Sequence, residues 1–242
     1  MFKPLKVKQE VYLKIDGTCF KRWGCALVYK AGQRIIFESF TLRENYASYL
    51  LDLIKIIELR YEIKGVTSDG IKGLDSAIKT LFPNNQNPIP HQRCLVHLQR
   101  QSQTLLTKNP ETQTGMELLE IIKQVNTIKN HYEKNIWIKW FKRFEERNIQ
   151  VLNQRTYQDK EGKQTWWYTH KNLRRTYRTI KNSLPNLFLY LDYLNLPKDT
   201  NGLESEFSHL KRKLSLHRGL KRHRKINFTR WYFYLKSQTG NT

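Results

Sequence analysis

Val11-Tyr-Leu-Lys-Ile-Asp-Gly-Thr18 reads as a short strand, and two stretches of the same character follow it, WGCALVYK (23–30) and QRIIFESF (33–40). Ala31-Gly32-Gln33 joins the second to the third, and its glycine suits a hairpin turn. From Arg43 to Tyr61 the apolar residues Tyr46, Leu50, Leu53, Ile54, Ile57 and Leu59 mostly recur at helical spacing, and Gly65 punctuates the end. KGVTSDG (64–70) reads as a buried strand ending at Asp69, and IKGLDSAIKTLF (71–82) resumes a helical pattern that Pro83 stops. The order is βββαβα, which places the chain in the α/β class. IPHQRCLVHL (89–98) reads as a further strand running into a helix.

Between about Glu111 and Leu196 the pattern turns mostly helical, with runs such as MELLEIIKQVNTI and IWIKWFKRF and no strand alternation. The last segment, DTNGLESEFSHLKRKL, offers Asp199, Thr200 or Asn201 as the cap of a helix whose Leu203, Phe207, Leu210 and Leu214 fall three or four apart.

Lys and Arg number 43 against 21 Asp and Glu, a formal charge of +22, which points to a polyanionic partner and to nucleic acid first. A merely soluble basic protein is the bland alternative. No apolar run approaches the ~18 residues needed to span a bilayer, so no membrane partner is expected, and MFKPLKVKQE lacks the apolar core of a signal peptide. Three cysteines, Cys19, Cys25 and Cys94, at irregular spacing suggest a reduced, cytoplasmic setting.

Asp16-Gly17 and Asp69-Gly70 each close an extended apolar segment. Either pair alone reads more readily as a turn. Delivered together from neighbouring strands, the two carboxylates suit a hard cation such as Mg²⁺, with Mn²⁺ as a substitute. Glu204 can add a third carboxylate from its helix. Glu206 competes with it, but the two positions point about 200° apart, and Glu204 lies nearer the apolar stripe. From Phe207 to the end there are ten Lys or Arg and no acidic residue, which makes Lys211, Arg212, Lys213, Arg218, Lys221 and Arg222 candidates for phosphate contact. Arg174, Arg175 and Arg178, preceded by Trp166, Trp167 and Tyr168, offer a second contact surface, although aromatic residues read first as core. Cys94 and His97 have metal-ligand spacing but form only half a zinc site. His91 and His170 are the available completions, so zinc is not expected.

YLKIDGT around Asp16, VTSDGIKGL around Asp69, QRCLVHL with its Cys-x-x-His, TH..LRR around His170 and TNGLESEFSHLKRKLSLHRGLKR occur in one order. Over about residues 10 to 225 this pattern resembles the Mutator-type insertion-sequence transposases. The resemblance implies a ribonuclease H-like mixed sheet with flanking helices, its core at about 10–105 and 198–236, and a mostly helical insertion at about 106–197. It implies a DDE triad of Asp16, Asp69 and Glu204 acting through two metal ions, with Asp16 common to both, and an accessory role for Cys94, His97 and His170. The implied activity is cleavage and strand transfer on the element's terminal repeats and target DNA, by a homo-oligomer in a bacterial, nucleoid-associated setting. An N-terminal DNA-recognition domain, usual in such enzymes, is not expected here, because the first strand starts almost at Met1. A truncated remnant that keeps only non-specific DNA binding is the alternative.

Overall fold

The computed structural model describes residues 2–21, 23–83, 88–160 and 163–239. Along the chain come β1 (Gln9–Phe20), β2 (Gly24–Ala31), β3 (Arg34–Thr41), α1 (Tyr46–Glu58), β4 (Tyr61–Ser68), α2 (Lys72–Leu81) and β5 (His91–Arg93). Next are α3 (Leu95–Leu106), α4 (Gln113–Gln124), α5 (His131–Asn153), β6 (Arg155–Lys160), β7 (Lys163–Tyr168) and α6 (Lys171–Ser183). The last are α7 (Asn201–Leu216) and α8 (Arg222–Thr239). Two compact units result, one of Met1–Cys94 with Asp192–Thr242, the other of Leu95–Leu191.

The first unit is built on a five-stranded mixed sheet in the order β3-β2-β1-β4-β5. β1 runs antiparallel to β2, and β2 to β3, whereas β4 runs parallel to both of its neighbours, β1 and β5. Alternation along the strands feeds two cores. Leu13, Ile15, Leu27 and Tyr29 pack with Tyr49, Leu53 and Ile56 of α1 and Leu74 and Ile78 of α2. Ala26, Val28 and Ile35 point to the other face, under Leu203, Phe207, Leu210 and Leu214 of α7 and Tyr232 and Phe233 of α8. The stripe read from the sequence of α7 is thus its buried face.

Local chemistry sets the element ends. The side chain of Asn45 accepts from Ser48 N–H and starts α1, a cap worth about 1 kcal/mol. Arg60, at φ +68°, turns the chain into β4. The helix expected from Arg43 to Tyr61 is therefore shorter at both ends. Asp52 of α1 is buried and accepts from Tyr29 Oη at 3.0 Å and from Ser39 Oγ, which ties the helix to β2 and β3. Cys19 and Cys25, directly opposed across β1 and β2, are joined in a disulfide. The expectation of reduced thiols does not hold for this pair, because their six-residue separation spans the strand turn and brings them face to face.

The second unit packs α3 to α6 around Leu98, Leu118, Ile122, Trp137, Phe141, Phe144, Tyr177 and Ile180. Leu95, Leu98 and Leu106 place α3 in this unit, which begins at Leu95. β6 and β7 form a two-stranded hairpin within it. The sequence reading found no strand here, and the reason is physical: both faces of the hairpin are largely exposed, so no apolar alternation marks them.

Candidate active site

Asp16 is 7% exposed and lies late in β1. Its partner across β2 is Val28, whose side chain belongs to the core under α7 and α8, and directly opposed residues share a face. Asp16 therefore points to the α7 side of the sheet, with its Oδ1 accepting from Gly17 N–H at 2.8 Å. The parallel register of β1 and β4 ends at Lys14 opposite Thr67. Two residues further along each chain stand Asp16 and Asp69. Asp69 follows the last residue of β4, where Gly70, at φ +81°, turns the backbone. The ladder thus ends two residues short of both acidic residues, and the charges of both reach the Tyr49 hydroxyl.

Glu204 lies in the first turn of α7 and is half-buried. The start of this helix is fastened to the end of β4 through Cys94. Cys94 N–H donates to Ser68 O at 2.7 Å, and the fully buried Thr200 donates to Cys94 Sγ from its N–H at 3.4 Å and its hydroxyl at 3.5 Å. The hydroxyl of Thr200 thus serves this clasp and does not cap α7, where Asp199 takes the Asn201 N–H at 3.1 Å. Glu206 faces elsewhere. It accepts from Tyr232 Oη at 3.0 Å and lies 3.4 Å from Lys236 Nζ, both on α8.

Three groups that the sequence reading did not single out, Glu44, Tyr49 and Arg93, lie near these acidic residues. Glu44, just before α1, accepts from the buried Tyr49 hydroxyl, and a Cβ on Gly17 would fall 2.6 Å from its carboxylate oxygen. Burial raises the Glu44 pKa, with the charge of Asp69 adding to the rise. Tyr49 is also pushed up, first by burial and then by Glu44, Asp69 and Asp16. Arg93 at the end of β5 packs against Gly70; burial lowers its pKa while the negative charge of Asp69 opposes that shift. Only proximity in the fold reveals these neighbours, since Glu44 has no motif around it.

The other sequence candidates fall as follows. Lys211, Arg212, Lys213, Arg218, Lys221 and Arg222 are exposed on α7, on α8 and between them, with Arg222 also donating to Trp23 O at 3.4 Å. His97 is half-buried in the first turn of α3. His91 Nε2 lies 2.7 Å from Ser68 Oγ, and its Nδ1 lies 3.6 Å from Asp75. His170 precedes α6 with Nε2 3.1 Å from Gln154 Oε1. Arg174 donates to Leu152 O at 2.9 Å and to Asn153, and covers the Tyr168 ring, so it braces the hairpin, whereas Arg175 is exposed.

Carboxylate oxygens are the donors a hard cation takes. Among the described residues, however, no three His, Cys, Asp or Glu side chains are placed closely enough to hold a metal ion. The fold brings Asp16 and Asp69 to the same end of two paired strands and turns Asp16 toward the sheet face that α7 covers, without closing a three-carboxylate set among the described residues.

A family model described as the transposase IS66 family matches residues 60–223, about two thirds of the chain. The match takes in Asp69, Cys94, His97, His170, Glu204 and the cations from Lys211 to Arg222; Asp16 lies before it. No curated protein matches. The match supports a DDE-type insertion-sequence transposase and does not support the narrower Mutator-type resemblance. By that match this chain belongs to the IS66 family of transposases.

Proposed function

We propose that the chain is the catalytic part of a DDE transposase that cleaves the ends of an insertion sequence and joins them to target DNA. The observation that supports this reading is the register of β1 and β4, which ends two residues short of both Asp16 and Asp69, with Asp16 turned to the face covered by the helix of Glu204. The strand order β3-β2-β1-β4-β5 supports a ribonuclease H-like core. Asp16, Asp69 and Glu204 would hold Mg²⁺ or Mn²⁺, which supplies activation of a water or 3′-hydroxyl and stabilisation of the departing oxygen. Lys211, Arg212, Lys213, Arg218, Lys221, Arg222 and Arg175 would hold the DNA through its phosphates. Pairing of two element ends favours a dimer or larger assembly on DNA.

The test is to incubate the native protein and Asp69→Asn with DNA carrying the element's ends, with and without Mg²⁺ or Mn²⁺. New 3′ ends and joined products from the native chain alone are expected. DNA binding without products from either protein would favour the other reading, a chain that keeps only non-specific DNA binding.

A further inference from the structure

The β6–β7 hairpin exposes aromatic rings on both of its faces. Arg155 opposes Tyr168, Tyr157 opposes Trp166, and Thr156 opposes Trp167. Directly opposed residues share a face, and alternate pairs share it too. Tyr157, Trp166, Tyr168 and Arg155 therefore lie on one side and Trp167 on the other. Tyr157 is 57% exposed, Trp166 48% and Trp167 45%. The sequence reading favoured core for the two tryptophans, and the structure corrects it: the hairpin carries its own cation–aromatic order in place of a core. Arg155 covers Trp166 at 4.1 Å from the ring centroid, Trp166 meets Tyr168 edge-on at 5.4 Å, and Arg174 covers Tyr168 at 3.8 Å.

We propose that this hairpin is a stacking platform for unpaired nucleotides of the DNA substrate. The inference rests on the DNA-processing function proposed above and deepens it. Duplex DNA presents phosphates and groove edges, whereas an unpaired base offers a flat face that an exposed ring can cover. The charge around the rings selects a polyanion over a protein surface. Lys171, Arg174, Arg175 and Arg178 lie on α6, which has no acidic residue, and Arg174 joins that helix to the hairpin. Exposed rings beside a cationic helix match the two components of single-strand binding, stacking and backbone attraction.

The test measures binding of a 3′-tailed duplex and a blunt duplex of equal phosphate number by fluorescence anisotropy, without divalent metal. It compares the native protein with Trp166→Ala/Trp167→Ala, Trp166→Phe and Arg175→Gln, and thermal melts check that each variant is folded. The native chain is expected to prefer the tailed DNA. The double alanine variant should lose about tenfold in affinity for it and leave blunt binding unchanged. Trp166→Phe should keep the preference, and Arg175→Gln should weaken both DNAs alike. A native protein without tail preference, or an alanine variant that retains it, would overturn the platform while leaving the transposase reading intact. Failure to bind either DNA would remove both. Loss of self-association in sedimentation, with tail preference kept, would assign the rings to a contact between copies and overturn the proposal.

Discussion

Glu204 and Glu206 stand two positions apart on α7 and have different surroundings. Glu206 is committed to Tyr232 and Lys236, so Glu206→Gln should lower the melting temperature slightly, by about 1 kcal/mol or less in stability, and leave cleavage intact. Glu204→Gln should abolish metal-dependent cleavage with little change in melting. The reverse pattern in paired cleavage and melting assays would sink the assignment of Glu204. Glu38 gives a pH signature. Burial lifts its pKa from 4.5 to about 7, partly opposed by Arg230. Between those values the unfolded chain has released this proton while the folded chain still holds it, so this residue's contribution to stability falls as pH rises through the window and is level above it. Urea unfolding below and above the window should show that fall, and Glu38→Gln should reduce it.

Elements meet at the candidate site through contacts that no local pattern announces. Cys94 bridges the end of β4 and the start of α7, receiving two hydrogen bonds from Thr200. Cys94→Ala would leave a buried N–H and hydroxyl without that acceptor, at a cost of about 1–3 kcal/mol. The expected result is a lower unfolding midpoint and slower cleavage, with DNA binding kept; unchanged stability and rate would remove the clasp. The spacing Cys-x-x-His made Cys94 visible in the sequence, but its role as a sulfur acceptor depends on Thr200, more than a hundred residues away. Strands and helices with a buried stripe, such as β1 and α7, were legible because burial leaves a period in the sequence. The β6–β7 hairpin was not, because exposed strands leave none.

Across the whole molecule a formal charge of +22 should make the proposed DNA affinity salt-dependent. Replacing Lys211, Arg212 and Lys213 by Gln should make the plot of log affinity against log salt shallower by up to about three units, at about 0.9 for each phosphate left without its cation. An unchanged slope, measured by titration at several salt concentrations, would exclude these side chains from the interface. The chain has no helix long and apolar enough to cross a membrane among its described residues. The sequence by itself determined the α/β class, the βββαβα order of the first elements, the apolar face of α7 and the basic character of the chain's end, since each rests on periodicity or composition within a short window. The tertiary structure decided what those windows could not contain. The β1–β4 register ends two residues short of both Asp16 and Asp69, Tyr49 holds Glu44 near Asp69, Cys94 anchors α7, and the tryptophans of the hairpin stay in solvent. Each of these depends on contacts between residues distant in sequence, and such contacts are set by sheet pairing and packing.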